Sequence, residues 1–199
     1  MKQKIQIRCK NNKKSQKVEI GSTLFDVFSS FDLKMTHGPV SARVNNKVEG
    51  MHYRVYNSKD VEFLDMNSAS GSRAYTRTLF FVLCKAVQDI YPNTDVVIDI
   101  PVSNGFYVDI RLGRPVVDED VNILRRRMQE IIDSKMPIRR FTVPTEEAIA
   151  LFQEKGDVEK VKLLRTSGSI YTTYYKIGEY VDYYYGTLLT NTSQLYLFG

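Results

Sequence analysis

Residues 71–92, GSRAYTRTLFFVLCKAVQDIYP, decide how the larger part of this chain folds. Apolar residues at Leu79, Val82, Leu83, Ala86, Val87 and Ile90 recur at the i, i+3, i+4, i+7 spacing of a helix face turned to a core. Ser72 offers an N-cap, and Pro92 stops the helix because it has no amide hydrogen to donate. Arg77 and Phe81 lie one turn apart, so their side chains point the same way. Neither is a metal ligand.

Outward from that helix, the 65 residues at the N-terminus read as a small sheet unit. Ile5, Ile7 and Cys9 alternate with Lys4, Gln6 and Arg8, which is strand periodicity with one buried face. Asn11-Asn12 reads as a hairpin turn, Val18 and Ile20 as the return strand, and Leu24, Val27, Phe28 and Phe31 as a short helix. Strands are expected at 40–44 and 60–64, with Asn45-Asn46 as a turn. That order suggests a β-grasp unit over 1–66, followed by a small, polar linker at 67–70.

Beyond the helix, Val96 to Ile100 and Phe106 to Ile110 read as a hairpin turning at Ser103-Asn104-Gly105. A helix is expected at 118–135, with Val121, Leu124, Met128 and Ile131 inward and Arg125-Arg126-Arg127 toward solvent. A strand at 139–143, a helix capped by Thr145 and a helix from Asp157 to Leu164 follow. The tyrosine-rich end, 169–198, reads as two or three strands. Helices and strands mix without βαβ regularity, so the fold class is α+β: a small ubiquitin-like unit and then a larger domain over 71–199.

Composition narrows the function classes. Of 199 residues, 43% are apolar, which suits a packed protein and not a disordered one. No apolar run approaches the roughly 20 residues that span a bilayer, so a cytoplasmic protein without membrane contact is expected. Two cysteines and two histidines exclude a cysteine-rich zinc site, and Cys9 and Cys84 read as small buried hydrophobes.

The net charge of +5 belongs entirely to residues 1–65, which hold 12 Lys and Arg against 7 Asp and Glu; residues 66–199 hold 16 of each. Lys10, Lys13, Lys14 and Lys17 cluster on the first hairpin. They either contact nucleic-acid phosphates or are a solvated hairpin edge that discourages strand pairing. The clustered tyrosines, Tyr171 to Tyr185, likewise either stack on bases or serve as half-buried strand residues.

Three segments, Gly21-Ser22-Thr23-Leu24-Phe25-Asp26-Val27, Ala42-Arg43-Val44-Asn45 and Val61-Glu62-Phe63-Leu64, resemble a TGS domain, the ubiquitin-like module of threonyl-tRNA synthetases. From Gly71 onward the chain resembles the second additional domain of threonyl- and alanyl-tRNA synthetases. The residues are Pro101, Asn104-Gly105-Phe106-Tyr107 and Asp109; Asp118-Glu119-Asp120; Pro144 with Glu146-Glu147-Ala148; and Gly178-Glu179-Tyr180-Val181-Asp182.

In that family an H-x-x-x-H motif on the first helix and a C-x-x-x-H motif near the end form an editing or metal site, since imidazole and thiolate bind zinc and move protons near neutral pH. The corresponding positions here are Arg77, Phe81, Tyr184 and Leu188, so no catalytic residue, metal or cofactor is expected in this chain. With Asp182 they outline a degenerate pocket, read as filled core or as a reshaped ligand site.

The pair of domains also resembles the front of bacterial uridine kinase-type nucleoside kinases, in which a P-loop domain using ATP and Mg follows. No G-x-x-x-x-G-K-[ST] occurs in these residues. The resemblance implies a non-catalytic regulatory or RNA-contacting portion of such a kinase, with its kinase domain as partner. The alternatives are an RNA-binding module derived from threonyl-tRNA synthetase, with tRNA or other RNA as partner, and a dimerisation module.

Overall fold

A computed structural model describes residues 3–35, 37–102, 105–196 and 198, with the side chains of 99–102 excepted. The turn expected at 103–104 lies outside the described residues. The chain is α+β, with five α-helices and three sheets among the described residues. It divides into two compact units, 1–136 with 187–199, and 137–186.

The first unit begins with a β-grasp sheet of order β2-β1-β5-β3-β4. β1 (Lys4–Cys9) pairs antiparallel with β2 (Ser15–Glu19) and parallel with β5 (Lys59–Leu64). β3 (Ser41–Val44) lies between β5 and β4 (Lys47–Gly50). Ile7, Cys9, Val18, Ala42, Val44, Val61 and Phe63 send one face of the sheet against Leu24, Val27 and Phe31 of α1 (Leu24–Ser30) and its C-cap. Thr23 and Asp26 close a capping box on α1, at 3.2 Å and 2.8 Å. β4 is absent from the sequence reading: Asn45 and Asn46, both at positive φ, make a two-residue turn, but KVEG carries only one apolar residue to signal a strand.

α2 (Ala69–Ile90) starts earlier than expected, because Ser68 and not Ser72 is its N-cap, accepting from Gly71 N at 3.0 Å. The segment read as a linker, 67–70, therefore runs directly into the helix. Gly71 permits a close approach to the end of β5, where an added Cβ would stand 1.9 Å from the Asp65 carbonyl oxygen.

Beside α2 run a hairpin, β6 (Val96–Val102) with β7 (Gly105–Ile110), and α3 (Asp118–Asp133). Phe80 of α2 meets Phe106 of β7 edge to face at 4.9 Å. Leu124, Met128 and Ile131 are buried as the periodicity requires, but Val121 is exposed, one turn from the open end of the helix. Arg125 and Arg126 face solvent as expected, whereas Arg127 is half-buried. Its guanidinium donates to Asp89 of α2 through Nε (3.0 Å) and Nη2 (2.9 Å), fastening the two helices together.

Residues 187–196 return to the same unit and tie its parts together. Leu189 N donates to Thr78 Oγ1 (2.9 Å), Thr192 Oγ1 to Ile131 O (2.9 Å) and Tyr196 N to Tyr75 Oη (2.9 Å). Thr192 also accepts from Met136 N at 2.9 Å, so a fully buried hydroxyl is satisfied twice.

The second unit is an antiparallel sheet of order β10-β9-β8, formed by β8 (Arg139–Pro144), β9 (Tyr171–Ile177) and β10 (Tyr180–Tyr183). α4 (Thr145–Glu154) and α5 (Val158–Thr166) cover it, with Ala148, Ile149, Phe152, Val161 and Leu164 sharing a core with Val181 of β10. Thr145 does not cap α4. Its hydroxyl donates to Ser169 O at 2.6 Å, so it pins the chain entering β9 instead. The tyrosine-rich end supplies two strands, and the chain then closes in a 3-10 turn at Thr192–Gln194.

Candidate functional site

The lysine hairpin is held in place by Asn11 and Asn12, which lie between Lys10 and Lys13. Lys10 N donates to Val61 O at 2.8 Å, and the Asn11 side chain continues that ladder, accepting from Phe63 N at 2.8 Å and donating to Phe63 O at 2.9 Å. Asn12 donates through Nδ2 to Phe31 O (3.3 Å) and accepts from Lys14 N (3.0 Å). The loop between β1 and β2 is thus bonded both to β5 and to the end of α1.

Lys10, Lys13, Lys14 and Lys17 are all exposed on this support. Lys13 takes a left-handed φ of 60°, which lets a short loop turn. Four ammonium groups on a backbone fixed at both ends form a positive surface that needs little ordering to meet an anionic partner. Sequence reading located the lysines but took Asn11 and Asn12 for turn residues only. Their amide bonds to the core are long-range in sequence and leave no local signature.

The five positions read from the resemblance as a degenerate pocket fall in different units. Arg77 is half-buried on α2, Phe81 one turn later is fully buried, and Leu188 is 2% exposed, all in the first unit. Phe81 is a core residue there. Asp182 and Tyr184 belong to the second unit, the former buried and the latter half-buried.

Asp182 is the centre of a charged network that sequence reading did not find. Lys160 Nζ of α5 sits 2.8 Å from Asp182 Oδ1 and 2.7 Å from Asp157 Oδ2, with the Phe152 ring 5.8 Å away. Tyr180 Oη donates to Asp182 Oδ2 at 2.8 Å and Tyr183 N to Oδ1 at 2.6 Å. Burial works against the Lys160 ammonium, but the Asp182 charge and bonds to both aspartates outweigh it and raise its pKa. A cation between two carboxylates with every oxygen of Asp182 engaged is a closed arrangement. It holds α5 to β10.

A second saturated carboxylate opens α3. Asp120 accepts from Arg114 at 2.7 Å on each oxygen, from Tyr91 Oη at 2.7 Å and from Val117 N at 3.0 Å. Arg114, then the Val117 amide and the Tyr91 hydroxyl, hold its carboxyl well below the usual carboxylate range; the bond to Asp120 raises Tyr91. Among the described residues no three His, Cys, Asp or Glu side chains converge as a metal site, and no helix is long and apolar enough to cross a membrane. His37 and His52 are exposed, and His37 stacks on Tyr196 at 3.9 Å.

No protein-family model matches the chain. Over most of its length it is similar to threonine–tRNA ligases. It is 30% identical over 179 residues to that of Acetivibrio thermocellus, covering 89% of the chain and 28% of the relative. With the ligase of Clostridium kluyveri it is 28% identical over 192 residues, 96% of the chain and 30% of the relative. With that of Marinobacter nauticus it is 25% identical over 177 residues, 88% and 28%. The chain spans less than a third of the length of these relatives. The similarity is to one segment of threonine–tRNA ligases and lends nothing to a nucleoside-kinase context.

Proposed function

We propose that this chain is an RNA-contacting module of the threonyl-tRNA synthetase type that no longer edits. The observation that carries this reading is the fixed hairpin, in which Asn11 and Asn12 present Lys10, Lys13, Lys14 and Lys17 to solvent. Similarity to ligases whose names specify tRNA makes nucleic-acid phosphate the partner that suits those four cations. Loss of editing is argued from side-chain chemistry. Arg77, Phe81, Tyr184 and Leu188 offer no imidazole and no thiolate, so these positions can neither hold zinc nor relay a proton at neutral pH.

The alternative placement, in front of a P-loop kinase domain, has no specific observation in its favour. The test is binding of a fluorescent tRNA at low salt by the wild type and by the Lys10, Lys13, Lys14 and Lys17→Gln quadruple variant. The proposal expects the variant to bind at least about tenfold more weakly, with an unchanged circular dichroism spectrum. Equal affinity would leave the hairpin as a solubility feature.

A further inference from the structure

On the outer face of the β-grasp sheet, away from α1, an open cleft of ≈ 310 Å3 is lined by Gln6, Arg8, Ser15, Ser58, Asn45, Lys59 and Asp60. Its size is at the lower end of small-ligand sites. Gln6 and Arg8 alternate with buried Ile7, so the strand period sends them to this face, and register sets Arg8 opposite Ser15 on β2 and beside Asp60 on β5. The walls are fixed: Ser58 Oγ accepts from Gln6 N at 3.3 Å, and Asn45 Oδ1 from Asp60 N at 2.9 Å.

In the parallel pairing Lys59 stands beside Ile7, so the same strand period turns its side chain to the α1 face, and Arg8 and Asp60 are the charged side chains on the cleft face. Among the described residues no carboxylate lies within ion-pair distance of Arg8, although Asp60 shares its cleft. An unneutralised cation and a separate carboxylate are a mixed set. A lone anion would be drawn to Arg8 but repelled by Asp60. A ligand that carries a hydroxyl donor next to a phosphate satisfies both, because the phosphate meets the guanidinium while the carboxylate accepts the hydroxyl hydrogen. RNA carries that combination in every nucleotide and DNA does not, since only ribose has the 2′-hydroxyl. The same strands lead directly into the lysine loop.

We propose that this cleft is a ribonucleotide subsite, with Arg8 on a phosphate and Asp60 on a 2′-hydroxyl, through which the module selects RNA over DNA. The proposal rests on the RNA-binding reading and extends it from attraction to discrimination. Gln6, Ser15 and the amide nitrogen of Asn45 supply further neutral hydrogen-bonding groups around the same nucleotide.

The test compares the full chain with Arg8→Gln, Asp60→Asn and Asp60→Ala, titrated against fluorescent RNA and DNA oligomers of one sequence at one salt concentration. Circular dichroism checks each fold. The Arg8→Gln variant should lose about tenfold in RNA affinity, the loss of charge-assisted bonds to phosphate. Both Asp60 variants should lower the RNA-to-DNA affinity ratio while leaving DNA binding unchanged or tighter. Wild-type affinity in Arg8→Gln, or an unaltered ratio in a folded Asp60 variant, overturns the subsite even if the lysine quadruple variant binds weakly. No RNA binding by the wild type overturns the RNA-contacting reading and the subsite with it.

Discussion

Substituting Gly71 by alanine should reverse the usual sign of a helix substitution. In a helix interior alanine is favoured over glycine by about 1 kcal/mol. At position 71, however, an added Cβ would stand 1.9 Å from the Asp65 oxygen, 2.7 Å from its carbonyl carbon and 2.8 Å from a Val40 methyl group. Ordinary carbon contacts are about 3.5 Å or longer. Two of the three obstacles are backbone and cannot rotate aside, so the first turn of α2 must move.

That turn is where Asp65 O accepts from Ser68 N (3.2 Å) and Ser68 Oγ (2.8 Å), and where Ser68 caps Gly71 N. Overpacking costs about 1–3 kcal/mol and a lost cap about 1 kcal/mol. Set against the propensity gain, the net loss is about 2 kcal/mol. For a unit of this size that lowers Tm by about 4–8 °C. Thermal melts followed by far-UV circular dichroism measure it. A Gly71→Ala protein melting at or above the wild-type temperature would refute the close approach of α2 to β5.

Lys160→Met should destabilise the second unit by about 3 kcal/mol in urea melts, the lower end for breaking a buried pair, because Tyr180 and Tyr183 still serve Asp182. Adding Asp182→Asn should recover part of that loss, so strictly additive effects would argue against the network. With the Lys160 pKa raised in the folded state, the network's contribution is complete below the unfolded lysine value of about 10.4 and fades as pH rises through the higher folded value. Wild type and Lys160→Met should therefore converge in stability only at strongly alkaline pH. Asp120→Asn should destabilise at neutral pH; since the Asp120 pKa is lowered on folding, the gap to wild type should hold above about pH 4 and shrink in acid. A gap independent of pH would show that the Asp120 charge is not what Arg114 and Tyr91 bind.

Legibility in the sequence followed the range of the interactions. Local periodicity revealed β1, β2, α1 and α2, since Ile7 and Cys9 on one face, or Val82, Ala86 and Val87 on another, state burial within a few residues of one another. It failed at β4, where one apolar residue in four gives no period, and at Ser72, where a second serine four residues earlier did the capping. Val121 follows the helical period but is exposed. The lysines were visible as a charge asymmetry, whereas their support by Asn11 and Asn12 spans up to 52 residues of sequence. Lys160 and Asp182 lie on different elements, so their pairing is a product of tertiary packing. The reading of Arg77, Phe81, Tyr184 and Leu188 as former ligand positions rests on family resemblance alone.

The salt dependence of tRNA binding tests the central claim most directly. If Lys10, Lys13, Lys14 and Lys17 each neutralise one phosphate, the slope of log affinity against log salt should be shallower in the quadruple glutamine variant by about 3 to 4 units. Parallel slopes for the two proteins across the salt series would contradict phosphate contact by this hairpin.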